Sequence, residues 1–325
     1  MVLATPAFGA PLTPEMVARI EAVDGVRVVP ISADGRTHVE DVEALASAQV
    51  LFRGGLSSTV LDHLLGRAPN LRWIHSVSAG IERVAIPGVT ARGLTVTNGR
   101  GVFSRPIAEY VVMMLLAVAR RLPQLLELQR ERTWQPLGGR ELSGLTLGIL
   151  GFGSIGAEVA ALLAPFGTRI LATRRHPERG PGDAPNVELL GHDRLPELLS
   201  QADVVLLALP LTAATAGVIG SEALRQMRRE AWLINIARGR LVDEGALRDA
   251  LATGSIAGAV LDVFDQEPLP IDSPLYDAPN LILTPHTSWA TDRVADRSID
   301  LFADNLRRYL GGQPLLNVVD LEAGY

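Results

Sequence analysis

The fold of this chain is restricted most by one feature. A short apolar strand is followed directly by a glycine-rich turn and a helix. Residues 147–150 are apolar, and Gly151–Gly156 follow as G-x-G-x-x-G. The first glycine of such a turn permits a sharp bend, the second admits a pyrophosphate, and the third lets the helix pack on the sheet. The helix N-terminus adds free N–H groups for the phosphates. In this context the pattern predicts a dinucleotide site; the alternative is a glycine-rich turn that binds nothing.

The rest of the chain alternates β-rich runs with helix-like stretches, which indicates parallel sheets covered by helices. Thr13 and Ser57 are placed to cap helices. A long apolar helix begins near Ser104, and a last helix ends near Leu310 before the strand-like residues 316–319. The predicted strands are 26–29, 50–52, 73–76, 95–97, 146–150, 169–173, 203–209, 231–236, 256–260 and 281–284.

This pattern predicts an α/β fold with two doubly wound parallel-sheet domains. We expect a Rossmann cofactor domain over residues 98–291, because the glycine turn lies there. It would be inserted into a flavodoxin-like substrate domain made of residues 1–97 and 292–325. The long helix, which is apolar on every face, fits either a core helix or a helix shared with a subunit interface.

Composition excludes several kinds of chemistry. All 30 basic residues are Arg, and the chain has neither Lys nor Cys. A Lys Schiff base, a P-loop lysine, a thiol nucleophile and a Cys-ligated metal are therefore impossible. No pair of histidines has metal-ligand spacing, so we expect no metal.

Charge and hydropathy indicate which partners to expect. The net charge is −6, which does not favour a nucleic-acid surface. The N-terminus lacks the features of a targeting peptide, and no apolar run approaches the roughly 20 residues of a membrane span. We therefore expect neither nucleic-acid nor membrane binding, and a location in the cytoplasm.

Three polar segments follow strands in the second half of the chain: 235–239, 262–270 and 284–289. Ligands of open α/β sheets bind beyond the carboxyl ends of strands, so the segments point to one crevice. His286 is the expected proton donor to a carbonyl, Glu267 orients it, and Arg238 holds a substrate carboxylate. Singly these residues also fit a core histidine, a surface acid and a strand-end cap; together they favour chemistry.

The end of the second strand after the glycines distinguishes the two nicotinamide cofactors. An NAD-binding fold usually places an acid there, but this chain has Arg174 and Arg175 after Thr173. A guanidinium binds a 2′-phosphate that a carboxylate would repel, and the Thr173 hydroxyl could add a donor. The sequence predicts NADP(H) as the preferred cofactor, with NAD(H) possible; the alternative is a solvated pair of arginines.

These motifs together resemble the D-isomer-specific 2-hydroxyacid dehydrogenase family over essentially the whole chain. The resemblance implies that Arg238, Glu267 and His286 are catalytic, and that the chain forms a homodimer. It also implies that Asp262 contacts the nicotinamide end. With the residues above, the expected cofactor-binding set is Gly151, Gly153, Ser154, Ile155, Gly156, Thr173, Arg174, Arg175, Leu209, Pro210, Thr215, Ile236, Ala237, Asp262 and Ser288.

On the substrate side, the resemblance implies a carboxylate-binding loop at Ser78, Ala79 and Gly80, which would act through backbone N–H groups. Arg53 is a further candidate, or else a surface arginine. Two departures matter: Arg174 is similar to the NADP-using glyoxylate and hydroxypyruvate reductases, and Trp289 replaces a small residue and would narrow the pocket. We expect reduction of a small 2-oxoacid to the D-2-hydroxyacid. The alternative is a catalytically idle protein of the same fold that senses NAD(P).

Overall fold

The computed structural model describes residues 1–8, 11–32, 42–182, 184 and 186–321. The chain divides into two compact units, Met1–Phe103 with Thr291–Tyr325, and Ser104–Ala290. The sequence analysis places the domain boundaries at 97/98 and 291/292. In the structure residues 98–103 belong to the first unit, where Asn98 and Arg100 bond to Asn317 of the C-terminal tail, residues 311–321.

The first unit contains a five-stranded parallel sheet with the order β2-β1-β3-β4-β5. This order is that of a flavodoxin-like fold. Its described strands are β1 Val2–Ala4, β2 Val28–Pro30, β3 Val50–Arg53, β4 Trp73–Ser76 and β5 Thr95–Asn98. Its described helices are α1 Pro14–Glu21, α2 Val42–Ser47, α3 Ser58–Arg67, α4 Pro87–Ala91 and α11 Val294–Leu310.

Apolar side chains cover both faces of this sheet. Phe302 of α11 packs with Phe52 and Trp73 on one face, while Leu64 of α3 packs with Ile74 on the other. The strand β1 is not among the predicted strands; it is three residues long and lies inside the sheet. The predicted strand at 316–319 is instead a single antiparallel bridge between Thr97 and Val318.

The second unit contains a seven-stranded parallel sheet with the order β12-β11-β10-β9-β6-β7-β8. Its strands are β6 Thr146–Leu150, β7 Arg169–Thr173, β8 Val187–Leu190, β9 Val204–Leu207, β10 Trp232–Asn235, β11 Gly258–Leu261 and β12 Leu281–Leu283. Its α-helices are α5 Ser104–Ala119, α6 Leu122–Arg130, α7 Ser154–Leu163, α8 Leu195–Gln201, α9 Ser221–Gln226 and α10 Glu244–Ala252.

The order of the second sheet reverses beside β6, where β7 lies on one side and β9 on the other. This is the Rossmann arrangement, and a dinucleotide binds at such a reversal. The predicted fold class of two parallel-sheet α/β domains is confirmed. The predicted six strands of this sheet are one too few, because β8 forms an additional edge strand beside β7.

The structure places no helix that is long and apolar enough to cross a membrane within the described residues.

Candidate active site

The glycine turn at the end of β6 has the geometry that its sequence predicts. Gly151 has φ +94°, and a Cβ there would lie 2.7 Å from Leu209 Cα. Gly153 caps α7, and a Cβ on it would meet nothing within 4 Å. The first backbone N–H bonded back into this helix end belongs to Ala157, which reaches Gly153 O at 3.0 Å. The N–H groups of Ser154, Ile155 and Gly156 have no backbone partner among the described residues, which fits the pyrophosphate of a dinucleotide.

Thr173 closes this turn from the end of β7. Its hydroxyl accepts a hydrogen bond from the Gly151 N–H at 3.3 Å, and the residue is 2% exposed. Arg174, the next residue, is half-buried and donates from Nη1 to Gly180 O at 2.7 Å. Arg175 is exposed. The strand end therefore presents cationic side chains where an NAD site would present a carboxylate.

The segment after β9 is held by one hydroxyl. Thr215 Oγ1 donates to Pro210 O at 2.7 Å and accepts from the Thr212 N–H at 2.8 Å. Leu209 is buried against Gly151, so the segment borders the glycine turn. Thr215 thus positions the segment predicted to contact the cofactor.

His286 and Glu267 form the central pair of the site. Nδ1 of His286 lies 2.8 Å from Oε2 of Glu267, and both side chains are partly exposed. Oε1 of Glu267 accepts the N–H of Phe264 at 3.0 Å, which fixes the carboxylate. Because an ionised carboxylate only accepts hydrogen bonds, Nδ1 carries the proton toward Glu267. The opposite nitrogen, Nε2, is then the one that can exchange a proton with a substrate.

Arg238 follows β10 in a loop that is fixed by its backbone. Asn235 accepts the Ala237 N–H at 3.1 Å and donates to Arg238 O at 2.9 Å. A Cβ on Gly239 would lie 1.9 Å from the carbonyl carbon of Phe264. This contact brings the arginine loop against the segment that carries Glu267. The sequence analysis did not single out Gly239 for this role.

Asp262 organises the loop that carries His286. The residue is fully buried, and its Oδ1 accepts the Thr287 N–H while Oδ2 accepts the Ser288 N–H, both at 2.9 Å. The two bonded amides directly follow His286, whose φ is +50°. Asp262 and Ser288 are both among the predicted cofactor-binding residues. In the structure they are hydrogen-bonded to each other.

Two further residues extend this network, and the sequence analysis did not assign them. Thr284 donates from Oγ1 to Asp262 Oδ1 at 2.6 Å. Tyr110 of α5 lies 2.6 Å from the same Thr284 oxygen. Since the only Thr284 hydroxyl proton goes to the carboxylate, Tyr110 must donate to Thr284. Burial raises the pKa of Tyr110 to about 12, which keeps that proton in place. Thr284 lies two residues before His286 in the T-P-H motif, and this position is the sequence signal that could have identified it.

The predicted substrate residues of the first unit differ in exposure. Ser78 and Ala79 are exposed, and Gly80 is half-buried. Arg53 is 2% exposed and donates from Nη2 to the carbonyls of Leu56 and Arg83. Burial lowers the pKa of Arg53 to about 10, helped by the positive charge of Arg83.

Three other predicted residues lie near the ends of β10 and β12. Ile236 is buried, whereas Ala237 and Trp289 are half-buried. Within the described part of the chain, no group of three His, Cys, Asp or Glu side chains is placed to hold a metal ion.

Comparison with known proteins identifies the class. Residues 112–288 match the family described as D-isomer specific 2-hydroxyacid dehydrogenase, NAD binding domain, which is more than half of the chain. The chain belongs to this family and is an NAD(P)-dependent D-2-hydroxyacid dehydrogenase.

Individual relatives extend the comparison over the whole chain. A glyoxylate reductase of Thermofilum pendens is 39% identical over 267 residues, covering 79% of this chain and 77% of the relative. A D-3-phosphoglycerate dehydrogenase of Methanocaldococcus jannaschii is 33% identical over 314 residues, covering 96% of this chain and 58% of that enzyme. The structure of an NADPH-dependent glyoxylate/hydroxypyruvate reductase from Sinorhizobium meliloti, in complex with NADP and sulfate, matches with a TM-score of 0.84 and 26% identity, covering 100% of this chain and 99% of that one.

Proposed function

We propose that this enzyme reduces a small 2-oxoacid, of the glyoxylate or hydroxypyruvate kind, to the D-2-hydroxyacid with NADPH. The observation that carries the proposal is the 2.8 Å contact between Nδ1 of His286 and Glu267, on the unit that also holds the glycine turn. Asp262 holds the loop that carries His286, and Gly239 of the arginine loop packs against Phe264 in the segment that carries Glu267. Glyoxylate reductases among the relatives support the substrate class.

The residues of the second unit supply the proton and the charges that the reduction needs. A bound reduced nicotinamide supplies the hydride. His286 donates the proton of Nε2 to the substrate oxygen as negative charge develops on it, and Glu267 balances the charge of the imidazolium. Arg238 binds the substrate carboxylate and polarises the carbonyl. After the proton has left, Nδ1 still donates to Glu267, so the ring keeps its orientation.

NADP(H) is the proposed cofactor because the end of β7 carries Arg174 and Arg175 and no acid. The next acid along the sequence is Glu178, whose Oε1 lies 3.1 Å from His176 Nδ1. Relatives with NADPH or NADP in their structures support this preference. NAD(H) remains a possible second cofactor.

The cofactor proposal predicts that Arg174→Asp reverses the preference. A carboxylate at this position repels a 2′-phosphate and accepts from a ribose hydroxyl. We expect kcat/KM with NADPH to fall about 10- to 100-fold relative to that with NADH. Steady-state kinetics with both cofactors measure this ratio, and Arg169→Asp, on the amino end of β7, is a control. A wild-type enzyme that prefers NADH would contradict the proposal.

In the first unit we propose that the N–H groups of Ser78, Ala79 and Gly80 bind the substrate carboxylate. Successive N–H groups of a loop form a common anion site. Arg53 stays a predicted substrate residue, acting through the positive charge that it brings to this unit. Trp289 is proposed to restrict the substrate to a short side chain.

We further propose a homodimer and a cytoplasmic location. Exposed apolar side chains on α5 and α6 support a subunit contact, because soluble monomers rarely expose large contiguous apolar patches. They are Met113, Leu116, Leu122, Leu125 and Leu126. Light scattering measures the mass, and cell fractionation tests the location.

A panel of 2-oxoacids assayed for NADPH consumption tests the central proposal. Glyoxylate and hydroxypyruvate should turn over fastest, with larger 2-oxoacids slower because of Trp289. Some relatives are named D-3-phosphoglycerate dehydrogenase. Oxidation of 3-phosphoglycerate with NAD tests this enzyme for that activity. Cofactor binding with no turnover of any 2-oxoacid would favour the idle NAD(P)-sensing alternative.

A further inference from the structure

In the loop at residues 78–81, two of the described backbone N–H groups lack a hydrogen-bond partner, whereas the carbonyl groups of the same peptides accept hydrogen bonds. Among the described residues, none accepts a hydrogen bond from the N–H of Ala79 or of Gly80. The carbonyls of the same peptide groups are both bonded. Ser78 O accepts the Gly99 N–H at 3.1 Å, and Ala79 O accepts from Asn98 Nδ2 at 2.8 Å.

Because the peptide group is planar, these two hydrogen bonds fix the direction in which the Ala79 and Gly80 N–H groups point. In a trans peptide, the carbonyl of one residue and the N–H of the next point in opposite directions. A bond to Ser78 O therefore turns the Ala79 N–H away from Gly99. The bond from Asn98 to Ala79 O likewise turns the Gly80 N–H away from Asn98. The two adjacent donors are thus aimed by groups on the other side of the loop.

The loop at residues 78–81 packs closely against Gly99, which follows β5. A Cβ on Gly99 would lie 2.2 Å from Val77 O, so only glycine permits this approach. The Ser78 hydroxyl donates to Gly80 O at 3.0 Å and spans the loop from within. The loop cannot rotate its peptide groups without breaking these contacts.

The C-terminal tail holds Asn98 in turn. The Asn98 N–H donates to Asn317 O at 3.2 Å, and Asn317 Nδ2 donates to Asn98 O at 3.2 Å and Arg100 O at 2.8 Å. Asn98 Oδ1 accepts the Arg100 N–H at 3.2 Å, which orients the amide. Asn317 has φ +56°, a left-handed conformation that Asn adopts more readily than most residues.

We infer that Asn98 is a positioning residue for substrate binding: by holding Ala79 O, it aims the Gly80 N–H at the carboxylate of the 2-oxoacid. Asn317 secures Asn98 from the tail. The inference rests on the proposed function, because that function assigns the carboxylate to this loop. The inference adds that the affinity for the 2-oxoacid depends on Asn98, which does not itself contact the substrate.

The Asn98→Ala variant of the full chain tests this role. We expect KM for glyoxylate to rise about three- to tenfold, the value of one lost hydrogen bond, with kcat changed less than twofold. The Kd for NADPH, measured by fluorescence, should not change. The Kd for oxamate, a 2-oxoacid mimic that cannot be reduced, should rise as much as KM. Asn317→Gly, which permits the same φ but removes the amide, should raise both values by a smaller factor.

Asn70→Ala is the matched control. Asn70 also donates an amide hydrogen to a carbonyl, Ala46 O at 2.7 Å, but it precedes β4, whereas the loop follows that strand. Unchanged glyoxylate KM and oxamate Kd in Asn98→Ala would overturn the inference. Equal losses for oxamate and NADPH would also overturn it, since they would show general damage. A wild-type enzyme inactive on every 2-oxoacid would instead contradict the proposed function, and oxamate affinity would still report on the loop.

Discussion

Two histidines, one from each unit, both have a hydrogen-bond partner at Nδ1, but they lie in different surroundings. Nδ1 of His75 lies 2.8 Å from the Thr97 hydroxyl, and Nδ1 of His286 lies 2.8 Å from Glu267. Both belong to parallel-sheet units near the carboxyl ends of strands. The difference lies in the partner and in exposure, so the residue type and its place on a strand do not by themselves define a catalytic histidine.

His75 is a structural residue of the first unit. It is fully buried, its ring stacks on Phe52 at 5.9 Å between centroids, and it lies 5.3 Å from Phe302. Burial lowers the pKa of His75 to about 3, so the ring is neutral at ordinary pH. Its Nε2 has no hydrogen-bond partner among the described residues. The ring therefore contributes packing.

His286 has the opposite environment. Its side chain is 43% exposed, and an acid rather than a hydroxyl holds its Nδ1. A carboxylate can balance a positive ring, whereas a neutral hydroxyl among aromatic side chains cannot. The contact with Glu267 therefore suits the role proposed for His286, and the surroundings of His75 suit packing.

The largest expected effect separates the two residues by function. His286→Gln removes the proposed proton donor, so kcat for 2-oxoacid reduction should fall about 10²- to 10⁴-fold. NADPH binding and the melting temperature should stay near wild type, because the side chain is partly exposed. His75→Gln should do the reverse, losing stability but keeping kcat. Kinetics and thermal unfolding of both variants measure this contrast, and a His286→Gln enzyme within threefold of wild type would remove the proposed donor.

The pH dependence of stability sharpens the comparison. Below about pH 6.5, the unfolded chain protonates His75, while the folded protein resists protonation until about pH 3. His75 therefore costs stability as pH falls through this window and has no effect above it. Between pH 7 and pH 5 the loss is about 2 kcal/mol.

Denaturant unfolding at several pH values measures this loss. The free energy of unfolding of wild type should fall about 2 kcal/mol more than that of His75→Gln between pH 7 and pH 5. Groups that titrate equally in both proteins cancel in the difference. Parallel curves for the two proteins would show that His75 is protonated in the folded state.

The smallest expected effect concerns the support of the His286 loop. Tyr110→Phe removes the hydroxyl that donates to Thr284 but leaves the Thr284–Asp262 bond. We expect kcat to fall about two- to threefold, with NADPH affinity unchanged, because the Thr287 and Ser288 amides still hold the loop. Steady-state kinetics measure this change. A loss as large as that of His286→Gln would mean that Tyr110 takes a direct part in the chemistry.

Local patterns were enough to predict the fold class and several element ends. Thr13 and Ser57 accept the N–H bonds expected of helix caps, from Met16 and Val60. The strand–turn–helix context of the glycines also predicted the sharp turn, in which Gly151 has the positive φ that such a bend requires. The Rossmann class followed from that one motif and the repeated alternation.

What the sequence could not provide are contacts between distant residues and very short strands. The strand β8, Val-Glu-Leu-Leu, follows a segment rich in Pro and Gly, and its pairing with β7 decides its conformation. The pair Asn98 and Asn317 is separated by most of the chain, so no spacing rule links its members. Tyr110 and Thr284 present the same problem.

The sheet of the first unit depends on the last helix of the chain. Phe302 of α11 fills the face formed by Phe52 and Trp73, yet α11 follows the entire second unit in sequence. During synthesis, residues 104–290 leave the ribosome as one uninterrupted stretch and can fold before α11 exists. The first unit keeps an uncovered apolar face until α11 has been synthesised. A truncated product that lacks α11 would therefore be a target for chaperones and proteases.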